Sequence, residues 1–202
     1  VDEGAVYCNV PGDAAKSKHP VNCVDADQAA KYCKFVGKRL PTEAEWEHAA
    51  RGEDGREWPW GDMPPETCWQ GILTGVTGTC GERKGTWEVG TTVDGKSPYG
   101  AFDMAGNVFE WVADGFEPYP ASEVVDPFMV AQPGARGVVR GGSWDYSPTW
   151  AKSTARFPFA RSTGHVSVGF RCAKSIEVEA SDASDAKGAS NPWAGGAGGK
   201  GD

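Results

Sequence analysis

The residues with the most evident chemistry lie in Gly100-Ala-Phe-Asp-Met-Ala-Gly-Asn-Val-Phe-Glu-Trp111. There Asp103, Asn107 and Glu110 bring three oxygen-bearing side chains within eight residues. Hard oxygen donors beside Gly106, which lets neighbouring carbonyls converge, match what calcium requires: roughly six to eight oxygens, several of them from the main chain. The acidic positions do not follow the alternation of a helix-loop-helix calcium loop. From the residues alone the stretch is either another kind of metal site or a turn between strands with a buried Trp111.

Cysteine is the second chemistry-bearing residue type. Cys8, Cys23, Cys33, Cys68, Cys80 and Cys172 contain no Cys-x-x-Cys pair and no nearby paired histidines, which argues against zinc. An even count scattered through glycine-rich sequence points to three disulfides and an oxidising, extracytoplasmic location. Cys68 and Cys80 bracket a short Gly- and Thr-rich loop and form the most local candidate pair, while the remaining pairings stay open.

The elements that must position these groups are few. A chain of 202 residues with 39 % hydrophobic content fits one domain, and 28 Gly, 14 Pro and 9 Trp favour a loop-rich fold anchored by aromatics. A net charge of -8 argues against nucleic acid or an anionic membrane as the main partner. No apolar run approaches the length of a membrane span, so no membrane insertion is expected; the sequence opens without the pattern of an export leader, as expected either of a chain with no export signal of its own or of a mature or truncated form that has lost one. Residues 1 to 22 read as loop, with a structural His19.

Asp25 and Gln28 form a capping box for a first helix that ends at Gly37, with Ala29, Tyr32, Cys33 and Val36 on its inner face. Thr42 and Glu45 cap a second helix that buries Trp46 and Ala49 or Ala50 and stops at Gly52, and Glu43 and Glu45 read as solvated or capping. Trp58-Pro-Trp-Gly61 reads as an aromatic turn, and Val89 and Val93 as a short strand. Residues 113 to 137 read as a long loop, whereas Val138 to Trp144 and Val166 to Ala173 read as strands. The paired Gly141 and Gly142 imply a bulge or a close backbone approach. Beyond Lys174 the Ala, Ser, Asp and Gly composition reads as a disordered tail or linker over 175–202.

Gly37-Lys-Arg-Leu-Pro-Thr-Glu-Ala-Glu-Trp-Glu-His-Ala-Ala-Arg-Gly52, Trp58-Pro-Trp-Gly61, Asp103-Met-Ala-Gly-Asn-Val-Phe-Glu-Trp111, Arg140-Gly-Gly-Ser-Trp144 and Gly169-Phe-Arg-Cys-Ala173 occur in one order. Together they resemble the formylglycine-generating enzyme (sulfatase-modifying factor) family across residues 19 to 173. The resemblance implies an α+β, C-type-lectin-like fold, loop-rich, with two helices and short antiparallel sheets. It also implies a domain over residues 1–174 that lacks the family's opening strands.

Two cysteines after the family's Gly-Gly-Ser motif hold copper, as soft thiolates select Cu(I). Here Tyr146 and Ala151 stand at those positions, so formylglycine-generating oxidase activity is not expected. An iron site built from His19, His48 and His165 is not expected either. The resemblance carries over one Ca2+ site: side-chain oxygens of Asp103 and Glu110 and carbonyls of Gly106 and Val108. The family's other calcium site looks degraded around Thr67, Cys68 and Gly81, where a Cys68–Cys80 bridge could replace the ion. The resemblance further implies a Cys33–Cys172 bridge, after which Cys8 and Cys23 are left to each other.

Two function classes follow. One is an extracytoplasmic, calcium-stabilised pseudoenzyme that binds a peptide, glycan or protein in a groove around Ser143, Asp145, Tyr146, Trp150, Arg156 and Arg161. Aromatic and Arg residues suit such a surface, although Trp144 and Trp150 could equally be core and the arginines could satisfy loop carbonyls. The alternative is an oxidoreductase of the same superfamily with an unrecognised cofactor or substrate. No nucleic acid is expected as a partner of either.

Overall fold

Asp25 and Thr42 start the two helices. In the computed structural model, which describes residues 7–9, 12–76, 84–132 and 134–176, each caps a helix through a reciprocal capping box. Helix α1 spans Ala26–Phe35 and α2 spans Glu43–Arg51. Gly37 and Gly52 adopt φ of 71° and 70°, the left-handed conformation in which glycine ends a helix at little cost.

Four strands form one described sheet: β1 (Phe109–Gly115), β2 (Arg136–Arg140), β3 (Arg156–Ala160) and β4 (Val168–Phe170), in the order β3-β2-β1-β4. Strands β1 and β2 pair antiparallel with Trp111 opposite Val139, and a register shift follows between Trp111 and Gly115. Strand β3 pairs antiparallel with β2, and β4 pairs in parallel with β1. The sheet is therefore mixed, whereas antiparallel pairing alone was expected.

The two-residue side-chain period sorts the core into layers. Phe109, Trp111, Val139 and Val168 face α1, meeting Ala26, Ala29 and Cys33. Val112 and Val138 face α2, meeting Trp46 and Ala50 together with Met104. Each helix thus covers one face of the sheet, and strand β1 is buried along nearly its whole length. A third cluster joins Trp58, Leu73, Ala105 and Ala151, with Trp58 stacked on Trp60 at 5.5 Å in the expected aromatic turn.

Several expectations change. Tyr32 and Val36 are not on the inner face of α1 but exposed, because the core-facing stripe runs through Ala26, Ala29 and Cys33. Glu43 is not solvated. It is 3 % exposed and bonded to Arg140, Arg156 and Tyr119. Val93 lies in a 3-10 turn, Val93–Gly95, and not in a strand, and another 3-10 turn, Ala14–Lys16, interrupts the expected opening loop. The tail expected over 175–202 lies outside the described residues from 177 onward.

Cys8–Cys23 and Cys33–Cys172 are disulfides with Cα–Cα separations of 5.6 and 5.5 Å. Cys68 is disulfide-bonded as well, while Cys80, its expected partner, lies outside the described residues.

Candidate functional site

The turn before β1 gathers the expected calcium ligands. Asp103, Gly106, Val108 and Glu110 line one cavity of about 390 Å³ together with Asn107 and Arg171. Asp103, Gly106 and Asn107 all have positive φ, of 55°, 82° and 65°, which coils the chain tightly. A Cβ on Gly106 would sit 2.4 Å from the Ile72 carbonyl oxygen, so only glycine fits there. The Gly106 and Asn107 amides hydrogen-bond outward to the Gly141 and Ile72 carbonyls, and the Asn107 carbonyl accepts from the Trp144 amide. Among the described residues, no hydrogen bond reaches the carbonyls of Gly106 and Val108.

Both carboxylates already have partners. Asp103 Oδ2 accepts from the Gly90 amide and Oδ1 from the Thr92 hydroxyl, each at 2.7 Å. Glu110 Oε2 accepts from Trp46 Nε1 at 2.7 Å and from Arg171 Nε, and its Oε1 accepts from Arg171 Nη2 at 2.6 Å. Arg171 Nη2 also donates to the carbonyls of Phe102 and Asp103. Burial works against the Arg171 charge, but the facing Glu110 carboxylate outweighs it and holds the guanidinium more firmly protonated than usual.

The donor set fits a calcium ion in kind. A carboxylate has about four lone-pair sites, so Asp103 and Glu110 retain capacity, and two main-chain carbonyls stand with them. The charge differs from the sequence reading. Two carboxylates and a divalent ion alone would be neutral, whereas Arg171 adds one positive charge. Arg171 and Trp46 were missed as members of this site, although the Gly169-Phe-Arg motif carried the first.

The expected groove is brought together only in part. Ser143 Oγ donates to Asp145 Oδ1, Ser167 Oγ reaches Asp145 Oδ2 at 3.0 Å, and His165 Nδ1 lies 2.7 Å from Ser167 Oγ. Neither His165 nor Ser167 was singled out from sequence as part of it. Beside this chain Tyr146 stands edge-on to Phe109 and Phe157, at centroid distances of 4.9 and 5.9 Å. Trp150 stands edge-on to Phe157 at 5.0 Å and remains 39 % exposed. Burial, followed by the nearby Asp145 charge, pushes the Tyr146 hydroxyl above its ordinary pKa.

The two arginines lie elsewhere. Arg156 bonds Glu43 at 2.7 Å and the Glu117 carbonyl at 2.8 Å, and lies 4.2 Å from the centre of the Tyr119 ring. Arg161 is 3.9 Å from Asp27, at the start of α1. Alternation along β3 accounts for Arg156: one residue before Phe157, its side chain turns to the α2 side of the sheet.

At the two positions where the resemblance would place copper-binding thiolates, Tyr146 fills space against the sheet and Ala151 is fully buried. Gly142, with φ of 71°, approaches Ala151 so closely that a Cβ on it would lie 2.8 Å from the alanine Cβ.

Residues 7–176 match the sequence profile of the Sulfatase-modifying factor enzyme 1-like domain. The chain belongs to the sulfatase-modifying-factor family. The domain is 34 % identical to the formylglycine-generating enzyme of Streptomyces coelicolor over 189 residues, covering 84 % of this chain and 57 % of that enzyme. It is also 34 % identical to the bovine inactive C-alpha-formylglycine-generating enzyme 2 over 174 residues, covering 81 % of this chain and 53 % of the relative. The chain thus spans little more than half the length of either.

Among solved structures, Treponema denticola variable protein 1 superposes with a TM-score of 0.66 at 23 % identity, covering 81 % of this chain and 73 % of that one. Two helices, a curled mixed sheet and long ordered loops give the sulfatase-modifying-factor domain its C-type-lectin-like fold.

Proposed function

We propose that this domain is a non-catalytic, calcium-stabilised binding module that works outside the cytoplasm. The observation that carries the reading is the content of the copper position. Tyr146 packs against Phe109 and Phe157, and Ala151 is buried beside Gly142, so neither position carries a thiolate. The bovine relative named as inactive gives a precedent in the same family. Two disulfides in the described residues suit an oxidising compartment.

Ligand contact falls to Tyr146 and the exposed face of Trp150, with Asp145 at the rim and the fully buried Ser143 bonded to it from beneath. Arg156 is bonded to Glu43 and Arg161 lies toward the start of α1, so both are left out of the groove. A peptide, glycan or protein chain would lie on the aromatic surface, which offers rigid contact area at small entropic cost. The module extends to Lys174, with a tail or linker from Ser175 onward.

Calcium would be held by Asp103, Glu110 and the carbonyls of Gly106 and Val108, and would supply a structural crosslink at the start of β1. With Arg171 in place, the occupied site carries a net positive charge, so binding is weaker than for two carboxylates alone.

Melting curves with calcium and with chelator test the metal. At a hundred times its dissociation constant the ion would add about 2.7 kcal/mol, and an unchanged midpoint together with no calcium by elemental analysis overturns that part. Oxygen uptake with a copper-loaded protein and a cysteine peptide tests the rest. Turnover would replace the binding reading with the oxidoreductase one, which the identity to the Streptomyces enzyme favours.

A further inference from the structure

Helix α1 turns Ala26, Ala29 and Cys33 into the core with no exposed surface. At about 3.6 residues per turn, Phe35 projects from the opposite pole, flanked by Lys31 and Tyr32. Phe35 is 86 % exposed, and Tyr32 and Val36 are exposed beside it. The last described segment is tied to the same helix and carries another exposed apolar side chain. Cys172 is bonded to Cys33, Ser175 accepts from Arg39 Nε at 3.0 Å, and the next residue, Ile176, is 88 % exposed. Single exposed apolar side chains are ordinary, but a group of them around one helix end is a contact surface.

The charge around this group is opposite to that of the chain. From Gln28 to Thr42 there is no Asp or Glu, while Lys31, Lys34, Lys38 and Arg39 all fall in that run, in a chain of net charge -8. Arg39 is paired with Glu45, and among the described residues Lys31, Lys34 and Lys38 form no ion pair. Asp27, the acid of this helix, lies at its far end near Arg161. Net charge therefore conceals a basic, aromatic end of α1. Salt screens the remaining negative charge over about 8 Å at physiological ionic strength, so a surface touching this end would meet chiefly the lysines.

We propose that this end of α1, with Phe35 at its centre, docks onto the headgroup layer of an anionic lipid bilayer. A protein interface core is depleted in lysine and seats its aromatics in pockets, whereas here lysines alternate with rings on a convex pole. That pattern suits a bilayer boundary, where rings enter between headgroups and lysine stems lie along apolar surface with their charges in water. The contact is peripheral. No helix among the described residues is long and apolar enough to cross a membrane.

The test is flotation of the full chain with phosphatidylcholine vesicles and with vesicles that also contain phosphatidylglycerol. Wild type floats with the anionic vesicles and is released by salt. Lys31→Glu and Lys34→Glu each weaken partitioning by roughly fivefold or more, and Phe35→Ser weakens it at every ionic strength. All three positions are exposed, so circular dichroism should be unchanged. Absence of anionic-vesicle binding at low salt overturns the proposal, as does binding that Phe35→Ser leaves intact. Self-association of the wild type that Phe35→Ser abolishes, without flotation, overturns it in favour of an interface between two copies.

Discussion

Removing the Arg140 side chain should be among the most damaging single changes in the domain. Arg140 is fully buried, donating to Glu43 at 3.1 Å, to Glu47 at 2.6 Å and to the carbonyls of Ser153 and Thr154. It joins β2 to α2 and to the segment before β3 in one step. Replacement by Met keeps much of the volume but leaves Glu43, almost without solvent, dependent on Arg156 and Tyr119. It also leaves two carbonyls unpaired.

Breaking a buried charge pair from one side costs about 3–5 kcal/mol, which for a domain of this size lowers the melting temperature by roughly 10 °C. Arg140→Lys keeps the charge but lacks the planar fork needed to reach two carboxylates and two carbonyls, so its loss should be intermediate. Urea unfolding followed by tryptophan fluorescence measures both variants. If Arg140→Met costs less than about 1 kcal/mol, the network is not what holds α2 to the sheet.

Replacing Cys33 and Cys172 with serine opens a bridge of sequence separation 139 and should cost up to about 5 kcal/mol in the chain-entropy account, read as a fall in the urea midpoint. Ala151→Cys adds an atom to a fully buried position beside Gly142 and should cost about 1–3 kcal/mol without creating copper affinity, checked by melting and by copper titration. His19 is held below its ordinary pKa of 6.5 by burial and then by Lys16. Below that pH the unfolded chain binds more protons, so stability should fall on acidification until the folded pKa is passed. His19→Gln, which keeps a polar group near Thr86, should flatten that part of a melting-temperature profile.

The helices were legible because their information is local. Asp25 with Gln28 and Thr42 with Glu45 are reciprocal caps within four residues, and Gly37 and Gly52 close the same elements. The turn before β1 was legible as a collection of oxygen donors, but not its neighbours. Arg171 reaches Glu110 from 61 residues away, and nothing local to either reports that distance.

Glu43 shows the same limit. At the start of a helix an acidic residue suits the dipole whether solvated or buried, and only the fold brings Arg140 and Arg156 to it. Tyr32 was misplaced because 3.6-residue periodicity admits it to the edge of the apolar stripe, and small Ala26 and Ala29 set the true inward direction. The residues expected around the groove are only partly neighbours, for a comparable reason. Ser143, Asp145, Tyr146 and Trp150 are near in sequence and stay near in space, while Arg156 is turned away by strand alternation.

Asn107 carries a consequence for how the molecule opens. Its side-chain amide accepts from the Trp87 amide at 3.1 Å and donates to the Trp87 carbonyl at 3.3 Å, while Asp103 takes the Gly90 amide and the Thr92 hydroxyl. Apart from the Val89 amide, which donates to the Lys18 carbonyl, two side chains of one turn thus do for residues 87–92 what a neighbouring strand does elsewhere. Backbone held in this way has no ladder along which to fray. The Trp87 and Gly90 amides should exchange with solvent as one cooperative unit, at a rate set by the opening of a turn up to 20 residues later in the chain.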